Sequence, residues 1–391
     1  MKRVNAILVI ILLVVMAGCG RNRQVDETDG YITVDVTSRY PKKELILQDF
    51  MDVEYIALET TDEFVTEGSV MDIGKEIIMV KNRSEEGGDI FIFDRTGKGL
   101  RKINRKGQGP EEYFLILPQG CFLDEDTGEM FIADGMYSSF MVYDLYGKFK
   151  RKIKYKESFY IATAYNYDKD NILCPDPFWP QYDAEVHRNS FYLISKQDGS
   201  MKEVEIPFKK KISTRLVRIQ DDWIISGGPD NSLITPFQNN WILTEPSSDT
   251  LYRLLSDHSL LPFMVRTPSV QSMDPEVFLF PGVLTDRYYF MQTAKKEYDF
   301  TTHTGVPPTD LVYDRQEKAI YQYTVYNGDF SKKTVNMSMS AVNAETYYVV
   351  LEAYELVEAC KKGELQGKLK EIAATLDEDS NPVIMLIKHK K

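Results

Sequence analysis

The sequence predicts an all-β fold, a ring of six four-stranded antiparallel blades with a helical insertion in the last one. Three observations predict it. One hairpin is written twice, as DIFIFDRTGKGLRKI over 89–103 and as SFMVYDLYGKFKRKI over 139–153. Short apolar runs separated by turn residues recur from about residue 70 to the end, each long enough for one strand. The final blade is one strand short, and VEYIAL over 53–58 is a spare strand at the other end of the chain. Self-similarity at such a period marks a propeller or a solenoid. Closing the ring with strands from both chain ends removes a free sheet edge.

The repeated hairpin has a clear physical logic. Each copy opens with an apolar run, 90–93 or 140–143, suited to a strand buried on both faces. An Asp-x-x-Gly turn follows; Asp at its first position bonds the local backbone, and Gly is favoured at its fourth. An alternating basic strand comes next, 98–103 or 148–153, whose charges blunt an outer edge. This is the outer half of a blade.

The elements follow in order. Blade 1 takes 70–73, 76–80 and the first hairpin. Blade 2 takes 120–124, 130–133 and the second. Blade 3 is assigned 161–167, 171–174, 190–195 and 201–206. Blade 4 is assigned 216–220, 223–226, 240–244 and 250–254. Blade 5 is assigned 282–285, 288–292, 310–313 and 319–325. Blade 6 is assigned 336–342, 347–351 and 382–388, with 53–58 outermost. One stretch breaks the β pattern: Leu365, Leu369, Ile372, Ala373 and Leu376 recur at helical spacing. Residues 353–377 are therefore read as a helical insertion between the second and third strands of blade 6, divided at Gly363.

The N-terminus stands apart from the ring. Lys2 and Arg3 precede an apolar stretch over 6–15 that is short for a bilayer span. Met16-Ala17-Gly18-Cys19 then resembles a bacterial lipobox, which implies a signal peptide over 1–18 and lipidation of Cys19. Gly20 after the Cys resembles sorting to the outer membrane, and the non-acidic Arg21, Asn22 and Arg23 favour a periplasm-facing position. Residues 19–30 read as a polar tether with a reach of about 18 Å, and 31–391 as the propeller.

Composition narrows the function classes. The chain has 391 residues, 43% of them hydrophobic, enough for a large core. Its formal charge of −12 and lack of a basic stripe argue against nucleic-acid binding. Cys121, Cys174 and Cys360 show no Cys-x-x-Cys spacing and read as buried small apolar residues.

Several stretches together resemble the six-bladed β-propeller lipoproteins of Bacteroidetes, relatives of NHL-type and TolB-like propellers. They are YIALET over 55–60, the Phe-Asp-x-x-Gly-Lys turn, GQGPEEY over 107–113, SDTLYR over 248–253 and NPVI over 381–384. The resemblance implies fold and cell-envelope location; it implies no particular activity.

Catalytic signals are sparse. Gly107-Gln108-Gly109-Pro110 lacks the third Gly of a dinucleotide loop, and Pro110 has no N–H to offer a phosphate. It reads as a connector between blades. DEDTGE over 124–129 is half a calcium loop at most and reads as a hairpin turn. His187, His258, His303 and His389 have no partner at metal-ligand spacing, and no Gly-x-Ser-x-Gly elbow is present. The expectation is therefore no catalytic residue, no metal and no cofactor.

Two function classes remain. One is a binding or scaffold lipoprotein for a glycan, a peptide or an envelope protein, touching the membrane through its anchor alone. The other is a propeller enzyme, a carbohydrate lyase or hydrolase, with acidic residues at the axial mouth. Strand alternation puts loops between second and third strands, and connectors between blades, on one face. Long loops over 175–189, 227–239 and 293–309 belong there and carry the expected ligand-binding residues Phe178, Trp179, Tyr182, Arg188, Phe237, Tyr298 and Phe300. The alternative for these aromatics is packing of their own loops.

Overall fold

The repeated turn folds as its residues dictate. Asp94 Oδ1 accepts the N–H groups of Thr96 (2.8 Å) and Lys98 (3.0 Å). Asp144 Oδ1 does the same for Tyr146 and Lys148, both at 2.9 Å. The glycines three residues on, Gly97 and Gly147, have φ of 89° and 82°, where a side chain is strained. Each hairpin carries a bulge beside its turn, between Ile92 and Phe93 and between Val142 and Tyr143.

The computed structural model describes residues 30–82, 87–156, 159, 161–176, 191–220, 223–339, 341–343 and 346–390. They form a six-bladed β-propeller. Strands are lettered a to d from the axis outward. Blade 1 is Ser69–Ile73, Ile77–Lys81, Asp89–Asp94 and Gly99–Asn104. Blade 2 is Phe122–Asp124, Glu129–Asp134, Ser139–Asp144 and Phe149–Lys154. Blade 3 is Tyr165–Asn166, Asn171–Pro175, Phe191–Ser195 and Met201–Val204. Blade 5 is Val277–Leu284, Tyr288–Lys295, Thr309–Asp314 and Ala319–Tyr326.

Blade 6 closes the ring as the strand count predicts. Strands a to c are Ala341–Asn343, Thr346–Leu351 and Val383–His389, and strand d is Met51–Ala57. Strand d runs antiparallel to strand c in unbroken register from Met51↔His389 to Ala57↔Val383. The helical insertion lies between strands b and c, as Ala353–Lys361 and Gly367–Ala373. Gly363 ends the first helix with φ 72°, and its N–H donates to the Cys360 carbonyl. Leu356 and Leu369 plug the insertion into the core shared by blades 5 and 6.

Blade 4 corrects the sequence reading. Its strands are Ile234–Phe237, Asn240–Leu243, Thr250–Leu254 and Leu260–Thr267. Leu216–Gln220 and Trp223–Gly227, expected as its inner half, form a separate two-stranded hairpin in the connector from blade 3. The true a–b turn was hidden because Gln238 and Asn239 both adopt positive φ, 50° and 58°, without a glycine. Pro236 in an inner strand also disguised it.

The N-terminal segment supplies a second feature. Ile32–Asp35 pairs parallel with strand d of blade 4, and Lys42–Ile46 pairs parallel with strand d of blade 5. Together with Met51–Ala57 they form a strap covering the outer edges of three consecutive blades. The sequence reading left 31–52 unassigned, apart from placing it in the propeller domain. Cys121 and Cys174 are buried, as expected of small apolar residues, and Cys360 is half-buried.

Candidate functional site

The inner strands enclose an axial channel of about 1170 Å³. Its walls come from strand a of blades 1 to 4 and 6, reinforced by side chains from strands behind them. At the end where a–b turns emerge, charges are paired. Glu125 accepts the N–H groups of Lys75, Glu76 and Ile77 at 2.5 to 3.2 Å, so its carboxylate is spent on the neighbouring blade's turn. Lys75 pairs with Asp126 (2.7 Å), and Lys388 pairs with Glu54. Deeper, Asp124 holds the buried Lys196 at 2.7 Å, and Asn166 accepts from the same ammonium at 2.6 Å.

Midway along the wall stands Asp72, beside the bulge of blade 1 strand a. Its Oδ1 accepts the Ile73 N–H (2.7 Å) and its Oδ2 the Leu123 N–H of blade 2 (2.6 Å). Burial pushes the carboxyl up to about 7, against those two donors, and the Glu125 charge adds to the rise. Tyr348 of blade 6 donates to the Val70 carbonyl at 3.2 Å. Burial raises its phenol, and the nearby Asp72 and Tyr165 charges raise it further. Tyr165 of blade 3 exchanges a hydrogen bond with Ser232 of blade 4 at 3.1 Å, and burial raises it too. Blades 3 and 6 are opposite in the ring. Asp72, Tyr165 and Tyr348 thus reach one region of the channel from three blades, and each keeps surface open to it. These residues are far apart in sequence, and no local motif marks them.

The second candidate surface is the face carrying b–c loops and blade connectors. The 216–227 hairpin stands there, leaning on the b–c loop of blade 5. Arg218 lies over the Phe300 ring at 5.3 Å, and Gly227 abuts Tyr298 so closely that a Cβ would sit 2.4 Å from the ring. Tyr298 and Phe300 meet edge to face at 5.1 Å. Residues pair as Arg218↔Ile225, Ile219↔Ile224 and Gln220↔Trp223. Alternation therefore turns Arg218 and Gly227 toward the blade 5 loop and the Ile219–Ile224 pair away from it. Ile219 is 72% exposed, Ile224 53% and Trp223 76%.

The expected ligand residues separate accordingly. Tyr298 and Phe300 lie on the connector face but brace the hairpin and each other. Phe237 does not belong there: it ends strand a of blade 4 beside the a–b turn, at the opposite face. It is 1% exposed and packs on Phe263 and Tyr289 at 5.8 and 5.5 Å. Phe178, Trp179, Tyr182 and Arg188 lie outside the described residues, as does Cys19. Among the described residues no group of His, Cys, Asp and Glu is arranged to hold a metal ion, and no helix is long and apolar enough to cross a membrane.

A family model described as Domain of unknown function (DUF4934) matches residues 31–388. Among solved structures, the chain is similar to a protein of Bacteroides fragilis described as exported, at 14% identity and a TM-score of 0.58, covering 90% of this chain and 99% of that one. It is also similar to a DUF4221 family member from Bacteroides vulgatus, at 11% identity and a TM-score of 0.48, covering 88% and 99%. The first likeness supports the propeller fold. No curated protein matches the sequence.

Proposed function

The chain belongs to the DUF4934 family, a domain of unknown function, and from that premise we propose that it is an envelope-tethered binding propeller whose connector face docks an extended segment of a partner protein. The observation that carries this reading is the outward Ile219–Ile224 pair on a hairpin that joins no blade; Trp223, at the hairpin's end, is exposed from the other face. Apolar side chains cost little to hold in water singly, but a braced apolar pair on a projecting two-stranded sheet is suited to association. Among the described residues each strand of the hairpin has one edge without a sheet partner, so a partner strand can add its backbone hydrogen bonds there.

A hydrolase or lyase reading needs a free acid and base pair. In the channel Asp124 is ion-paired with Lys196 and Glu125 caps a turn, which leaves Asp72 without a second free carboxylate beside it and favours binding over hydrolysis. The anchor completes the proposal: lipidation at Cys19 places the propeller at the outer membrane, facing the periplasm.

The test is capture from the native envelope with the lipidated protein. The parent should retain a partner that Ile219→Asp/Ile224→Asp loses while its melting transition is unchanged. Equal capture by both rules out this docking face. Cys19→Ala should leave the protein unprocessed or release it from the membrane fraction; unchanged acyl labelling excludes the anchor.

A further inference from the structure

We propose that the axial channel is a second binding site, one for a small ligand bearing a primary ammonium group, seated against Asp72 between Tyr165 and Tyr348.

The acceptor inventory points to a donor-rich ligand. An ionised carboxylate offers roughly four acceptor positions. Each Asp72 oxygen receives one backbone N–H, leaving capacity on both, and the side chain keeps surface open to the channel. Among the described residues no Lys, Arg or His forms an ion pair with it. The other deep carboxylate, Asp124, already has the Lys196 ammonium. Asp72 is thus the enclosed carboxylate whose cation the protein does not supply.

The surroundings set the charge of the guest. Six carboxylates and three cationic side chains line the channel, so an anion is disfavoured throughout its length. The phenol oxygens of Tyr165 and Tyr348 can accept further N–H bonds, and aromatic walls favour a cation. Tyr165 packs on Trp241 at 5.4 Å, which holds its ring in place. One carboxylate with neutral oxygens matches one ammonium charge; a divalent ion takes six or more oxygens from a denser cluster.

Titration follows from the same geometry. The ionisable groups acting with Asp72 are Glu125 and Cys121 of blade 2 and Tyr348 of blade 6. Tyr165, Lys81 and Asp134 act on members of that set. Cys121 is pushed up to about 12, and both phenols rise, so none of these three ionises near neutrality. Asp72 does, at about 7. An ammonium binds the ionised form, so affinity should increase about tenfold between pH 6 and pH 8.

Calorimetric titration of the full processed chain tests this with two carriers of the ammonium, 1,5-diaminopentane and Gly-Lys-Gly, which distinguish a free amine from a lysine side chain. The tripeptide is acetylated at its N-terminus and amidated at its C-terminus, so that its lysine carries the one ammonium; the neutral counterparts are 1,5-pentanediol and the same blocked peptide acetylated at Nε. At least one ammonium probe should bind one to one, with the tenfold pH response, and lose at least tenfold in affinity in Asp72→Asn. If that variant does not fold, Tyr348→Phe should weaken binding, and the pH response of the parent stands as the measurement. Failure of both ammonium probes to bind, equal binding of the neutral counterparts, or a flat pH response overturns the proposal. The hairpin variant Ile219→Asp/Ile224→Asp should bind the probes as the parent does, which separates this site from the docking face.

Discussion

Gly97 rests directly on the carbonyl of Ala57: a Cβ added to it would stand 2.0 Å from that oxygen. The Glu59 N–H donates to the Gly97 carbonyl at 2.8 Å, so this contact joins blade 1 to the strand that closes blade 6. Gly199 repeats the arrangement between blades 3 and 2, with a Cβ 1.9 Å from the Lys154 oxygen. The glycine of the repeated turn therefore serves two needs, left-handed backbone and a seat for the preceding blade. Gly97→Ala should lower stability by more than the roughly 1–3 kcal/mol of backbone strain alone. Denaturant unfolding monitored by circular dichroism checks it; a loss under that range contradicts the seating role.

Asn381 is the hub of ring closure. Its Oδ1 accepts the Thr66 N–H (2.8 Å), and its Nδ2 donates to the carbonyls of Glu59 (2.7 Å) and Phe64 (2.8 Å). Asn381→Ala leaves several buried groups without partners, at about 1–3 kcal/mol for each one that water cannot reach. Thermal unfolding should show a single transition at lower temperature. Asn381→Asp should be no better, because a carboxylate cannot donate to the two carbonyls.

Lys196 and Asp124 form a buried pair, their side chains 6% and 8% exposed. Lys196→Ala leaves the carboxylate uncompensated and should cost about 3–5 kcal/mol. Adding Asp124→Leu should recover much of that loss. A double variant as unstable as the single one would show that packing, rather than charge, sets the effect.

Asp72 gives stability a distinct pH dependence. Its carboxyl titrates at about 7 in the folded chain against 3.8 for an unperturbed Asp. Between those values the folded state holds a proton that the unfolded chain has released. Its contribution to stability therefore falls as pH rises through that window. Stability curves of the parent and Asp72→Asn should diverge between about pH 4 and pH 7, the parent falling more steeply relative to the variant. Parallel curves would contradict the raised value.

The architecture was legible because the code is local. Asp94 and Gly97 dictate one turn, and their counterparts Asp144 and Gly147 dictate the next. The helical insertion announced itself by spacing, with Leu369, Ile372 and Ala373 on one face of its second helix, although Leu365 and Leu376 fall outside that helix. Blade 4 was misread where local signals failed: Gln238 and Asn239 make a left-handed turn without glycine, and the 216–227 hairpin has strand-like residues but no sheet to join. The first two strap strands were missed for a related reason. Parallel edge pairing carries no hairpin turn, and KKELI over 42–46 looks like loop. The channel was beyond reach of pattern reading, since Asp72, Tyr165 and Tyr348 meet only once the ring is closed. Phe237 shows the converse, an aromatic read as exposed because its strand was read as loop.

The strap also sets an order of events during synthesis. Its strands are among the first made, yet their partners over 264–267, 322–326 and 383–389 arrive late, the last of them within ten residues of the end. Until then the emerging chain holds three strands that match nothing yet available. Blades 1 to 3 can assemble from neighbouring residues, whereas completion waits on the longest-range contacts in the molecule, which are the slowest to form. A circular permutant that opens the chain after residue 61 and joins the old ends would bring strands c and d of blade 6 near each other in sequence and shorten the separations of the other two strap pairings. It should reach the same native ring faster.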